Sequence, residues 1–180
     1  MGDDETMITH PASLKGCPHI DIVHLLVTNT RGLRGHAAEI GAATGRTALP
    51  LLAKFEMVYI IDLWPHNNDD MRQCLEMAAT YRDKAVILRG LSWEMAQYIP
   101  DESLDYFWLD CDHAYESVKK DLHAYYPKLR SGIGAIASGH DYTEWHPGVP
   151  QAVNEFVAVY GIPYLHTQLG CSDAWAFEKP

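Results

Sequence analysis

From residue 37 onward, short apolar runs alternate with longer stretches in which apolar and polar residues mix. The runs at 37–41, 57–63, 85–89, 104–110 and 133–138 are small, β-branched or aromatic at most positions of both parities. A strand buried on both faces reads this way, without the strict apolar–polar alternation of a half-exposed one. The intervening stretches 46–55, 69–82, 92–99, 115–129 and 149–160 predict helices. Asp69 and Asp70 put negative charge at a helix start, where the helix dipole favours it. Pro50 falls early in its helix, where a missing N–H costs little. Gly132 and Gly161 are placed to stop two helices. Two more strand-like runs, 164–169 and 174–178, flank Gly170-Cys171-Ser172-Asp173 and predict a terminal hairpin. The whole pattern predicts an α/β fold with a mostly parallel, doubly wound sheet, helices on both faces and an antiparallel end. Residues 1–36 lack the rhythm and read as an N-terminal cap segment, with Asp21–Val27 a short helix or strand over the core; residues 37–180 form the main body of a single domain.

Composition narrows the function. At 180 residues the chain can bury a full core, and 47% hydrophobic with 21% charged residues is ordinary for a soluble protein. The net charge of −10, from 24 acidic and 14 basic side chains, repels phosphate backbones and argues against nucleic acid as a partner. No 18-residue apolar stretch and no signal-peptide pattern appears, so the expectation is a cytoplasmic protein with no membrane partner. Met1-Gly2-Asp3-Asp4-Glu5-Thr6 fits the myristoylation pattern formally, but the adjacent acids and the lack of a basic cluster read as a chance match. Cys17, Cys74, Cys111 and Cys171 have no CxxC spacing and read as reduced thiols.

The most informative stretch is Ala38-Glu39-Ile40-Gly41-Ala42-Ala43-Thr44-Gly45-Arg46-Thr47. An open α/β sheet builds a nucleotide pocket at such a first strand–helix turn. Gly41 permits backbone angles that a Cβ penalises, and Gly45 lets a ligand lie against the main chain. Glu39 sits beside the place where an amino-acid or sugar group would lie. Asp62, at the end of the second strand run, is spaced to accept both ribose hydroxyls of an adenosyl cofactor. Gly90-Leu91-Ser92-Trp93, after the third run, can flank an adenine ring. A GxxxG turn is also common for structural reasons alone, and Asp62 can serve as a cap. The turn departs from the dinucleotide pattern G-x-G-x-x-G, with Ala43 in the middle and no third glycine, which counts against NAD.

A second constellation lies at the ends of the fourth and fifth runs. Asp110, Asp112 and His113 follow one, and Ser138-Gly139-His140-Asp141-Tyr142 closes the other. Asp110, His140 and Asp141 make an oxygen-rich set suited to Mg²⁺ or Mn²⁺, which would lower the pKa of a bound hydroxyl. His113 could then take the proton. The alternatives are structural: Asp112 or His113 capping the following helix, His140 bonding the backbone. His123, beside Lys120 and Asp121, reads as solvated. Glu144-Trp145-His146-Pro147-Gly148 is either part of an acceptor pocket or a plain surface loop, and Trp64-Pro65-His66-Asn67-Asn68 either closes over the cofactor or simply turns.

These residues are familiar as a set. The chain resembles the class I S-adenosylmethionine-dependent methyltransferases, and within them the catechol-type and macrocin-type O-methyltransferases. The resemblance runs from Ala38 to the C-terminus. It is most specific at Leu109-Asp110-Cys111-Asp112-His113-Ala114-Tyr115-Glu116-Ser117-Val118-Lys119-Lys120-Asp121-Leu122, close to the family's I-D-G-D-H-x-Y-x-x-V-x-x-D-L. It continues through Pro127-Lys128-Leu129-Arg130-Ser131-Gly132, Gly139-His140-Asp141-Tyr142, Pro147-Gly148-Val149 and Ala152-Val153-Asn154-Glu155-Phe156. It implies a Rossmann-like sheet of seven strands with the last antiparallel. It also implies S-adenosylmethionine contacts at Glu39, Gly41, Ala42, Gly45, Thr47, Asp62, Leu63, Gly90, Leu91, Ser92 and Asp110, metal ligands at Asp110, His140 and Asp141, and catalysis by His113 with Asp110. Cys111 replaces the usual glycine, His140 replaces an acid of the macrocin-type pair, and Ser131-Gly132-Ile133-Gly134 stands for the commoner P-G-G. The family's long N-terminal extension is missing, so the pocket is open or completed by a partner chain, as in a homodimer.

The leading expectation is methyl transfer to a hydroxyl of a small-molecule acceptor, with Mg²⁺ or another divalent metal assisting. An NAD(P)-dependent oxidoreductase, a non-catalytic cofactor-binding accessory protein and, more weakly, a metal-dependent hydrolase or hydroxylase are the competing ones. Tyr142, Trp145 and Trp64 near the predicted mouth suggest a flat or sugar-like acceptor.

Overall fold

Along each inner strand, neighbouring residues turn to opposite sides of one sheet. Ala38, Ile40, Tyr59, Ile61, Phe107 and Leu109 join one buried cluster, while Ala37, Val58, Ile60, Tyr106 and Trp108 join another. Both faces are therefore apolar, and each needs a layer of helices. The computed structural model describes residues 19–28, 30, 32–65, 68–167 and 173–180.

In chain order the elements are α1 (His19–Thr28), β1 (His36–Ile40), α2 (Ala48–Lys54), β2 (Met57–Asp62), α3 (Asn68–Thr80), β3 (Ala85–Arg89), α4 (Ser92–Met95), β4 (Leu104–Leu109), α5 (Tyr115–Tyr125), β5 (Ile136–Gly139), α6 (Gly148–Tyr160), β6 (His166–Thr167) and β7 (Trp175–Glu178). They form one seven-stranded sheet in the order β3-β2-β1-β4-β5-β7-β6. β1 to β5 are mutually parallel, and β7 runs antiparallel to both β5 and β6. The strand order reverses between β1 and β4, and ligands of open α/β sheets bind at such a switch point, at the strands' carboxyl ends. The doubly wound sheet with an antiparallel C-terminal strand is thus as the sequence implies.

Several expected boundaries move, each for a local reason. Asp21–Val27 lies in helix α1, which buries Ile22, Val23, Leu26 and Val27 in the cluster shared with α2. The helix expected over 115–129 becomes 3-10 at Tyr126–Lys128, where Pro127 has no N–H for an α-helical bond. Gly132 therefore stops no helix. It lies in a turn with Gly134, both at positive φ (70° and 75°), which delays β5 to Ile136 rather than 133. Gly161 does end α6, in the left-handed conformation with φ 64°. The helix expected over 92–99 splits into α4 and a 3-10 turn at Ala96–Tyr98. The strand expected over 164–169 shows only as β6, and residues 168–172, with Cys171, lie outside the described residues, as do Cys17 and the formal myristoylation pattern. Cys74 and Cys111 are free thiols. Among the described residues no helix is long and apolar enough to cross a membrane.

Candidate active site

The turn after β1 is held by backbone bonds. The N–H groups of Gly41 and Ala42 both donate to the carbonyl of Ile61 on β2, at 2.9 and 3.2 Å. Gly41 has φ 92°, and a Cβ there would sit 2.0 Å from the carbonyl oxygen of Asp110. The first glycine is needed because the end of β4 occupies its side-chain space. Gly45 also has positive φ (78°), but what fills its space is α3: a Cβ would meet Met77 Cε at 2.5 Å and Cys74 Sγ at 3.0 Å. The packing of α3 thus accounts for the glycine.

Asp62 clasps the turn from the β2 side. Its Oδ2 accepts from the Ala43 N–H at 2.8 Å and its Oδ1 from the Trp64 N–H at 2.7 Å. The Trp64 indole N–H returns to the Ala43 carbonyl at 2.8 Å. Trp64 is buried in the core, so it supports the turn from beneath instead of closing over a ligand; His66 and Asn67 lie outside the described residues and Asn68 opens α3. Ala43 and Trp64 both hold positive φ (45° and 44°), a strained conformation for residues with a Cβ that these bonds maintain.

Glu39 is fully buried in β1. Burial pushes its carboxyl up to about 8; the Thr47 hydroxyl opposes that, while the nearby Asp110 and Asp62 add to it. Thr47 Oγ1 donates to Glu39 Oε1, and Oε2 is buried with no hydrogen-bond partner. An unsatisfied buried carboxylate oxygen beside a glycine turn suits a cationic donor group. Next to it, Gly90 N donates to the Asp62 carbonyl at 3.1 Å, which places Leu63 and Leu91 side by side at the ends of β2 and β3. Both are exposed, at 42% and 36%. Ser92 opens α4, its carbonyl accepting from the Tyr125 hydroxyl at 2.7 Å.

The second constellation assembles at the ends of β4 and β5. His113 Nε2 lies 2.8 Å from Asp141 Oδ2, and His140 Nδ1 lies 3.2 Å from Asp141 Oδ1. Donor atoms of Asp110, His140 and Asp141 lie within 4.8 Å of one another, so the three expected ligands do converge on a possible ion. Asp141 is itself at φ 58°. Burial would raise its pKa, but His140, His113 and His146 outweigh this and hold it below the ordinary aspartate value. His113 does not cap α5. That region is braced by Asp112, whose carboxylate accepts from the Ala114 N–H at 3.2 Å and the Ser117 hydroxyl at 2.6 Å.

Two residues take places that the sequence reading did not give them. Asp121 is fully buried; burial pushes its carboxyl up to about 6, and the Cys111 thiol donates to its Oδ2 at 3.2 Å. Cys111, where the family has glycine, thus packs inward against α5, and burial with Asp121 beside it raises its own pKa. In sequence Asp121 lies on the stripe of Val118, Leu122 and Tyr125, the buried face of α5, which was the available signal. His146, on the loop after β5, lies 3.7 Å from Asp141 Oδ1. The signal for it was present only as a second histidine near a glycine, Gly148. His123 is exposed, as expected, while it also contacts the Tyr160 hydroxyl at 3.3 Å and meets Phe156 edge-on.

A glycine turn and strand-end acids at the switch point of a parallel sheet place the chain among the nucleotide-binding folds of the open α/β class. Residues 38–142 match the family described as "Methyltransferase domain", and the chain belongs to it, as a class I S-adenosylmethionine-dependent methyltransferase. No curated protein matches the chain. Among solved structures, an O-methyltransferase from Bacillus cereus in complex with SAH aligns at TM-score 0.67 and 16% identity, over 94% of this chain and 84% of that one. A methyltransferase from Geobacter sulfurreducens aligns at 0.67 and 13%, over 89% and 77%. Precorrin 8w decarboxylase from Methanobacterium thermoautotrophicum aligns at 0.66 and 16%, over 95% and 97%. At such identities the likeness is one of fold, and a decarboxylase among the three shows that the fold alone does not fix the reaction.

Proposed function

We propose that the protein transfers a methyl group from S-adenosylmethionine to a hydroxyl of a small-molecule acceptor, in the manner of the catechol-type and macrocin-type enzymes, with a divalent ion assisting. The observation that carries this reading is the 2.8 Å contact of His113 Nε2 with Asp141 Oδ2, beside Asp110 at the strands' carboxyl ends. A carboxylate on Nε2–H leaves Nδ1 as the basic nitrogen, an oriented general base. The orphaned Oε2 of Glu39 and the Asp110–His140–Asp141 set fit the cofactor's cation and a divalent ion respectively. When bound, these groups supply an electrophilic methyl on sulfonium and a positive charge that acidifies the acceptor hydroxyl.

The chain's own residues do the rest. Glu39 and the Gly41–Ala42 backbone face the methionine part, with Thr47 holding Glu39 and Gly45 shaping the turn. Asp62 accepts from the ribose hydroxyls, using lone pairs that its two N–H partners leave free. Leu63, Gly90, Leu91 and Ser92 enclose the adenine. Asp110, at the switch point, faces both cofactor and ion. His113 would take the proton of the acceptor hydroxyl, and a bound S-adenosylmethionine would supply the methyl group. Most of the rate enhancement comes from positioning. Tyr142 and Trp145 border an open cleft with Thr143, Glu144, Pro147 and Pro150, suited to the acceptor. The acceptor and a second copy are the only partners proposed, and the cytoplasm is the proposed location.

Thermal unfolding with S-adenosylhomocysteine, with and without Mg²⁺ and beside NADH, tests this reading. Ligand at 100 times its dissociation constant stabilises by about 2.7 kcal/mol, several degrees in midpoint. A shift with NADH but none with S-adenosylhomocysteine would overturn it. Once an acceptor is found, His113→Gln is expected to lower turnover by roughly 10²–10⁴-fold with the S-adenosylhomocysteine shift retained.

A further inference from the structure

His146 is left over by the reaction just described, yet it is built into the same corner. A Cβ on Gly148 would sit 2.4 Å from the His113 carbonyl oxygen and 2.5 Å from the Tyr115 nitrogen. The β5–α6 loop therefore rests directly on the β4–α5 loop, and only glycine allows this. The contact brings the rings of His113 and His146 to 4.2 Å between centroids, at 42°. Both rings flank Asp141, and donor atoms of the three residues lie within 4.8 Å of one another.

We propose that His113, Asp141 and His146 form a binding site for a first-row transition-metal ion of the Zn²⁺ class, separate from the Asp110–His140–Asp141 set with which it shares Asp141. The donors decide the class. Two imidazoles and one carboxylate suit Zn²⁺, Fe²⁺ or Co²⁺ and suit Mg²⁺ poorly. With metal–ligand bonds of about 2.1 Å, adjacent donors stand roughly 3.0–3.4 Å apart. His113 Nε2 lies 2.8 Å from Asp141 Oδ2 and His146 Nε2 3.7 Å from Asp141 Oδ1, and one donor atom from each residue lies within 4.8 Å of the others, so side-chain rotations bring the three to that spacing. His113 and His146 are 37% and 40% exposed, which leaves an open side for water or another ligand, as three-ligand zinc sites have. Loop bonds fix the third ligand. His146 N donates to the Thr143 carbonyl at 3.3 Å, its carbonyl accepts from Val149 N at 2.9 Å, and Tyr142 N donates to the Asp173 carbonyl at 2.7 Å. The consequence for catalysis rests on the reading of His113 as base: an ion on its imidazole withdraws it from proton transfer, so the site is inhibitory. The binding itself does not depend on that reading.

Co²⁺ titration of the chelator-treated full chain, followed by visible absorption, tests the site, with Zn²⁺ as competitor and with His146→Ala and Asp110→Asn as variants. About one equivalent of Co²⁺ displaced by Zn²⁺ is expected, with at least tenfold weaker binding in His146→Ala and little change in Asp110→Asn. No absorption and no Zn²⁺ uptake by the unmodified protein would overturn the proposal. So would a signal that survives His146→Ala, or one that Asp110→Asn abolishes. Cooperative urea unfolding of each variant shows that it is folded, and the S-adenosylhomocysteine shift is read on the unmodified protein. Its absence beside an intact Co²⁺ site would sink the methyl-transfer reading alone, and its presence without Co²⁺ binding would sink only the metal site.

Discussion

The two edges of the sheet treat the same residue types in opposite ways. At the amino-terminal edge, acids meet cations. Asp105, fully buried at the start of β4, accepts from the Arg130 guanidinium at 2.6 Å and from the Gly35 N–H at 2.7 Å. Lys179, after β7, donates to Glu102 at 2.7 Å and to the Leu129 carbonyl at 2.6 Å. At the carboxyl-terminal edge, acids meet no lysine or arginine: Glu39 has a threonine hydroxyl, Asp62 two backbone N–H groups, Asp121 a thiol and Asp141 three histidines, whose charge is itself titratable. An acid paired with a fixed cation is finished structure. An acid held by weak donors keeps charge, or a proton, in reserve for something that binds. The net charge of −10 says nothing of this division; placement along the strands does.

That contrast breaks first at the structural edge. Asp105→Ala strands the Gly35 N–H and the Arg130 fork, and removing one partner of a buried pair costs about 3–5 kcal/mol. Urea unfolding should show that loss with the S-adenosylhomocysteine affinity of the remaining folded protein little changed. A loss below about 1 kcal/mol would mean that the buried pair is no more than a surface one. Gly41→Ala probes the place where the two edges' logics meet, since the glycine carries both positive φ and the Asp110 carbonyl at its side. Strain of about 1–3 kcal/mol is expected in stability, together with weakened S-adenosylhomocysteine binding, because the turn and the end of β4 must separate.

How much of this was legible follows from how local each feature is. The strand–helix rhythm, the Glu39–Gly45 turn and Asp62 are written within single elements, and β3 at Ala85–Arg89 falls where its apolar run predicts. The meaning of Gly45 was not legible, because what fills its space, Met77 and Cys74, comes from α3. Asp121 shares the buried stripe of Val118, Leu122 and Tyr125, which the helical period shows, but its thiol partner Cys111 comes from the neighbouring loop. Trp64 follows a strand, where closing over a ligand was one of two readings, and its bond to the Ala43 carbonyl joins residues 21 apart that no local pattern links. His113 and His146 meet only through the close seat of Gly148, a contact that no spacing rule encodes.

At the reserve edge the effects are smaller and fall on binding. Asp62→Ala removes the acceptor of two N–H groups that lie in a strained turn. S-Adenosylhomocysteine binding should weaken by roughly 10–100-fold, equivalent to about 1.4–2.7 kcal/mol, from lost ribose bonds and a looser turn. Calorimetry reads the affinity directly, and an unchanged dissociation constant would remove Asp62 from the proposed site.

The smallest effect is a slope. Glu39 titrates near 8 in the fold against an ordinary value of 4.5, because burial disfavours its charge. The folded protein therefore holds a proton that the unfolded chain releases between those values, and the stability this confers is complete below about 4.5 and lost as pH rises through about 8. Asp121, raised from 3.8 to about 6, acts in the same direction over a lower window. Glu39→Gln cannot ionise, so it should flatten the fall between about pH 6 and 8 and make it shallower between about 4.5 and 6, where the share of Asp121 remains. Urea midpoints at half-unit pH steps give both slopes. Parallel curves for the two proteins would mean that Glu39 is already ionised at neutral pH, and that its unpartnered oxygen has found a cation without waiting for the cofactor.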